Sequence, residues 1–248
     1  MLAHGGLRTR AEAEQTMGMP TSAQRYWTVD EVWALPDEPG VRREVVDGEL
    51  LVSPSPSLWH QLAVTELAGE LRGYCKRTGI GMVLSAPFDV VLNRRDTLVQ
   101  PDVLVLPPDA VRPALPGLPG AALLLAVEVL SPGTARHDRL RKRPRYQRAA
   151  IPVWLVDLDG WVIEQWAPGS DRPVVSADTL EWVPAGAAEP FRLDVAALMA
   201  DVHRAPNLPQ AGGIAEGLGG GGRGGGGTTV ARGSPYILGV PGNRSAAP

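Results

Sequence analysis

Two acids interrupt apolar runs in this chain. One lies in Gln100-Pro101-Asp102-Val103, the other in Val127-Glu128-Val129-Leu130. A carboxylate inside such a run is costly to bury as a charge, so it needs a cation, a set of hydrogen bonds or a shifted pKa. On neighbouring strands the pair can share one divalent cation, which removes their mutual repulsion and polarises a phosphoryl oxygen and a water. Taken singly, each acid also reads as a strand-end residue touching solvent. What favours the metal reading is the pair together with the basic segment that follows Glu128. Arg136, Arg139, Arg141, Lys142, Arg143, Arg145 and Arg148 are opposed only by Asp138. That segment is the one strongly cationic patch, and its plain alternative is a solvated helix face.

The elements needed to position these residues can be read around them. Thr28-Val29-Asp30-Glu31 forms a capping box opening a short helix that stops at Pro36. Arg43–Val46 and Glu49–Val52 flank Asp47-Gly48, the dipeptide of a two-residue hairpin turn. His60, Val64, Leu67, Leu71 and Tyr74 form one stripe of an amphipathic helix ending near Gly79, which points His60 inward. Strands are expected at Gly81–Leu84, Phe88–Leu92, Val99–Leu106 and Leu123–Leu130. Most of these are apolar on both faces, so the centre of the sheet is covered. The cationic segment reads as a helix to about Ala149, in which Pro144 predicts a kink or a late start. Further strands are expected at Val153–Val156, Trp161–Ala167 and Thr179–Val183, with a closing helix at Val195–Val202. The fold class is mixed α/β.

Composition bounds the rest. The 248 residues are 44% hydrophobic, enough for one sizeable core or two small ones. Residues 1–25 show no apolar period and 204–248 are rich in Gly, Pro, Ala and Ser, so both are expected to be disordered around one domain at 26–203. Cys75 is the only cysteine, which excludes an internal disulfide and any cysteine-based zinc site. The longest apolar stretch, Ala121–Val127, is too short to span a bilayer, and a cytoplasmic location without membrane attachment is expected. A net charge of -3 argues against coating nucleic acid by bulk electrostatics. The Gly217–Gly227 stretch, broken by Leu218 and Arg223, reads as a flexible tail without a binding role.

These motifs in this order resemble the PD-(D/E)-x-K nuclease superfamily, and within it the bacterial family labelled as restriction endonucleases. The resemblance covers Arg43–Leu50, Pro56–Gln61, Gln100–Val103 and Val127–Pro132, then Asp138, Lys142 and Tyr146. It implies a restriction-endonuclease-like mixed β-sheet flanked by helices. It implies that Asp102 and Glu128 hold Mg2+ (or Mn2+) with help from the Val129 carbonyl. The superfamily's lysine stands two residues after the second acid, where this chain has Leu130, and Lys142 from the following helix occupies its place. Lys142 would orient the attacking water or stabilise negative charge growing on phosphorus. Asp138, Lys142 and Tyr146 are four apart, on one helix face. Glu44 corresponds to the family's hairpin glutamate and His60 to its helix-start histidine. The plain alternatives are a surface ion pair for Glu44 and a satisfied core histidine for His60. Asp89 is a weaker candidate. Before Trp154 the chain carries Pro152-Val153 where relatives have an acidic and aromatic pair.

The function implied is metal-dependent hydrolysis of phosphodiester bonds in nucleic acid, with DNA favoured over RNA. A nuclease that cuts both strands of a duplex is expected to work as a homodimer or to act twice. The rival is a catalytically inert nucleic-acid or protein binder on the same fold. A hydrolase acting on nucleotides or RNA could use the same acids, whereas a purely structural domain leaves them unexplained. No recognition helix or stacking motif marks the substrate.

Overall fold

A computed structural model describes residues 25–53, 55–110, 117–119 and 123–204. The segments expected to be disordered, apart from Arg25 and Arg204 at their inner edges, lie outside the described residues, as does the Gly-rich stretch.

The chain opens with α1 (Val29–Trp33), whose capping box is present, and passes to the hairpin β1 (Arg42–Val46) and β2 (Glu49–Ser53). Asp47 and Gly48 both take positive φ, 55° and 78°, as a turn matched to strand twist requires. Helix α2 (Leu58–Thr78) starts at a Ser57 cap that accepts the His60 amide and ends at Gly79 in the left-handed conformation. Then follow β3 (Met82–Ser85), β4 (Val90–Asn93), β5 (Thr97–Val99), β6 (Val103–Leu106), β7 (Leu118–Pro119) and β8 (Leu125–Val129). After the basic segment come β9 (Val153–Asp157), β10 (Val162–Trp166), β11 (Val174–Ser176), β12 (Thr179–Trp182) and β13 (Phe191–Asp194). The two short strands at 174–176 and 191–194 were not expected from the sequence pattern.

Six strands form a mixed sheet in the order β11-β10-β9-β8-β6-β3, in which β8 and β9 run parallel. A second sheet has the order β2-β1-β5-β4-β7, and β12 pairs with β13. Alternation along the central strands sorts side chains to two cores. Val103, Val105, Leu125 and Val127 pack on one face with the stripe of α2, Leu67 and Leu71 included. Leu104, Leu106 and Ala126 pack on the other, with Val46, Leu51, Val90 and Val99 of the second sheet and Tyr146. Trp154 joins the first core against Trp182 and Phe191.

One expectation needs correction and another gains detail. The single strand expected over Val99–Leu106 is two, β5 in one sheet and β6 in the other, with Gln100-Pro101-Asp102 crossing between them. Continuing the β6–β8 register by two residues sets Pro101 opposite Val129. Proline has no amide to donate, so the ladder stops there. The basic helix is interrupted before Pro144 as expected, but by a widening the sequence did not announce: α3 (Ala135–His137) runs into a π-helical turn (Asp138–Lys142), and α4 (Arg143–Arg148) starts with Pro144 in its first turn. The Arg143 amide reaches back five residues to the Asp138 carbonyl. The wide turn accommodates Pro144, whose ring would meet the carbonyl four residues back in a regular helix. The chain closes with α5 (Val195–His203), capped by Asp194.

Candidate active site

Asp102 and Glu128 fall on the same face of the six-stranded sheet, the face turned toward the second sheet. Their parity along the chain matches Leu104 and Ala126. The interruption at Pro101 frees the Val129 amide, which donates to Asp102 Oδ2 at 2.8 Å. His60 Nε2 sits 3.1 Å from the same oxygen, and Arg42 donates to Oδ1 at 2.8 Å. Burial works against the Asp102 charge, but the His60 hydrogen bond and the Arg42 guanidinium outweigh it and lower the pKa to about 2.

Glu128 is surrounded differently. The Tyr146 hydroxyl donates to Oε1 at 2.6 Å and the Lys142 ammonium to Oε2 at 3.2 Å. Lys142 also lies 3.1 Å from Glu44 and 3.0 Å from Asp138 Oδ1, so three buried carboxylates share one ammonium. The approach to Asp138 is an ion pair off the hydrogen-bond direction, and Asp138 Oδ1 has no hydrogen-bond donor among the described residues. Burial disfavours the Lys142 charge, yet Glu128, Glu44 and Asp138 push its pKa well up and keep it cationic. The excess acidity falls on Glu128. Burial raises its pKa most; Lys142 opposes this, while Asp138, Asp102 and Glu44 add to it.

All five residues singled out in the sequence, Glu44, His60, Asp102, Glu128 and Lys142, line one cavity of about 450 Å³ between the two sheets. Glu44 is buried and accepts the Gln100 amide at 2.7 Å, which rules out the surface ion pair. Asp89 does not line the cavity; it accepts from the Trp33 indole at 2.7 Å and the Gln100 amide group at 2.8 Å, bracing the crossing segment. Arg42 was not foreseen. Its signal was available: it stands two residues before Glu44 on one strand, hence on the same face. His137 also lines the cavity.

The basic segment is largely consumed within the fold. Arg139 pairs with Asp157 and Glu164, Arg141 with Glu49 and Arg145 with Asp47, while Arg143 lies over the Trp166 ring. The expected outward-facing cationic face is thus mostly neutralised. No helix among the described residues is long and apolar enough to cross a membrane.

The geometry can be set beside known proteins. A putative nuclease belonging to DUF820 from Anabaena variabilis superposes with a TM-score of 0.58 at 19% identity, over 71% of this chain and 98% of that one. At that identity the likeness shows the fold alone, mixed α/β. No curated protein matches the chain. Residues 29–194 match the Uma2 family, described as "Putative restriction endonuclease", and the chain belongs to that family.

Proposed function

We propose that the protein is a metal-dependent nuclease that hydrolyses phosphodiester bonds of nucleic acid, DNA in the first instance, at the cavity between the sheets. The observation that carries this reading is the charge balance of the cavity. Among the described residues, Glu44, Asp102, Glu128 and Asp138 share the cavity with two permanent cations, Arg42 and Lys142. That excess suits a divalent cation.

The donor set fits one. No group of three or more His, Cys, Asp or Glu among the described residues is arranged to hold a metal ion, so the fit rests on two carboxylates. Asp102 Oδ1 and both Glu128 oxygens each have one protein donor, which leaves each an acceptor direction. The Val129 carbonyl shares the strand edge of its own amide, on the side where Pro101 offers no donor. Asp102, Glu128 and this carbonyl would hold Mg2+ or Mn2+, which supplies a Lewis acid for the phosphoryl oxygens and the attacking water.

The chain's own groups do the rest. His60 and the Val129 amide fix the Asp102 carboxylate in one orientation. Arg42 and Lys142 place positive charge where negative charge grows on the phosphoryl oxygens. The water oxygen bonds to phosphorus, one ester P–O bond breaks, and a proton from the water ends on the leaving oxygen. Tyr146 keeps the Glu128 side chain aligned with Lys142.

The test is cleavage of labelled DNA and RNA with Mg2+, Mn2+ or EDTA, beside Asp102→Ala and Glu128→Ala. The expected result is metal-dependent cleavage reduced at least 100-fold in both variants. Cleavage that survives both substitutions overturns the site. Metal-dependent stabilisation lost in both variants, without cleavage of any substrate, identifies the inert binder instead.

A further inference from the structure

We infer that the nucleic acid this site takes is unpaired: a single strand, a flap or a frayed end, not a continuous duplex. This rests on the nuclease reading above. Glu44, Asp102, Glu128 and Lys142 are between 1% and 3% exposed, so a scissile phosphate must enter the cavity to meet them. In a duplex, each phosphate is flanked by paired and stacked neighbours, and drawing one nucleotide inward requires unpairing it. An unpaired strand avoids that cost.

The shape of the site agrees. A second cavity, of about 560 Å³, adjoins the first, and the two share Arg42, His60 and Asp102 in their walls. Each lies in the size range that encloses one small-molecule ligand, about one nucleotide. A strand laid across with its scissile phosphate at Asp102 places one nucleotide in each cavity. Leu50, Leu51, Val52, Pro56 and Pro132 give the first cavity apolar walls suited to a base face.

Electrostatics point the same way. Duplex binding draws on many Lys and Arg contacts to phosphates. Here Arg139, Arg141 and Arg145 pair with acids of the fold, and Arg143 with Trp166. The cations left in the cavity walls, Arg42 and Lys142, serve one or two phosphates.

The experiment uses the full chain with Mn2+ and one sequence in four labelled forms: single-stranded DNA, single-stranded RNA, blunt duplex, and duplex with a single-stranded flap. Bis(p-nitrophenyl) phosphate, a small diester, reports the chemistry alone, and fluorescence anisotropy with Ca2+ reports binding. Expected are at least tenfold faster cleavage and tenfold tighter binding of one or both single strands than of duplex, with cuts confined to the flap. Gln61→Trp, which fills the second cavity from an exposed position on α2, slows single-strand cleavage at least tenfold and leaves small-diester hydrolysis within twofold. Duplex bound or cut as well as the single strand overturns the inference, while Asp102-dependent hydrolysis of the small diester in the same experiment leaves the nuclease reading standing. Failure to hydrolyse even the small diester sinks the nuclease reading, and the binding ratio then decides on the preference for unpaired strands.

Discussion

Asp102, just ahead of β6, and Glu128, on the neighbouring β8, line one cavity, yet their surroundings drive their pKa values apart. Asp102, held by His60, Arg42 and the Val129 amide, drops from its ordinary 3.8 to about 2. A lowered pKa contributes stability that is present above the unfolded value and lost as pH falls through the folded one. Asp102→Asn is therefore expected to cost about 2 kcal/mol at neutral pH, and the deficit should close between pH 4 and pH 2. Glu128 is raised, chiefly by burial and then by the neighbouring acids against the pull of Lys142. A raised pKa has the opposite sign: its stability is complete below the unfolded value and drains away as pH rises. Glu128→Gln is expected to be more stable than the parent at pH 8, the margin growing with pH, while cleavage is lost. Urea midpoints measured from pH 2 to pH 9 for the three proteins check both signs; parallel curves would show that the acids are not differently held.

At the scale of elements, the site depends on a hairpin, a broken strand and a widened helix. The hairpin was legible because Asp47-Gly48 specifies its own turn, and α2 because a 3.6-residue stripe ends at a glycine. The broken strand was half legible. Val99–Leu106 reads as one apolar run, and only tertiary structure shows that Pro101 ends the ladder and sends β5 to another sheet. A kink at Pro144 would separate the facing of Lys142 from that of Tyr146, but with the π-helical turn ahead of it both reach Glu128. No local propensity encodes that outcome; three carboxylates around one ammonium help to hold it. The strand spacing to Glu44 could have marked Arg42 as facing the site, but not its pairing with Asp102, which is 60 residues away. Gly48 has φ 78°, and a Cβ there would come 2.3 Å from the Tyr26 ring. Gly48→Ala is expected to cost about 2 kcal/mol or more and to reduce cleavage, since β1 carries both Arg42 and Glu44. A thermal melt with an activity assay on the same sample checks it, and an unshifted melt would mean the turn does not set the position of β1.

Across the whole molecule the decisive quantity is where the positive charge has gone. The sequence shows seven basic residues between Arg136 and Arg148 in a chain of net charge -3, and from spacing alone they could form a phosphate track. Folding pairs four of them with acids: Lys142 becomes the buried ammonium of the cavity, and Arg139, Arg141 and Arg145 neutralise acids on β2, β9, β10 and the hairpin turn, while Arg136 and Arg148 stay exposed. Counterion release converts this into a number. Each phosphate neutralised on a single strand contributes about 0.7 to the slope of log affinity against log salt. Contacts from Arg42 and Lys142 alone give a slope of about -1 to -2, whereas a basic face engaging six or more phosphates gives about -4 or steeper. Anisotropy titrations of a short single strand from low to moderate salt separate the two. A steep slope would mean that the internal ion pairs open on binding and that the cationic segment is a nucleic-acid surface after all. A shallow one ties recognition to the two cations that line the cavity, so that the groups that bind the phosphate are those that act on it.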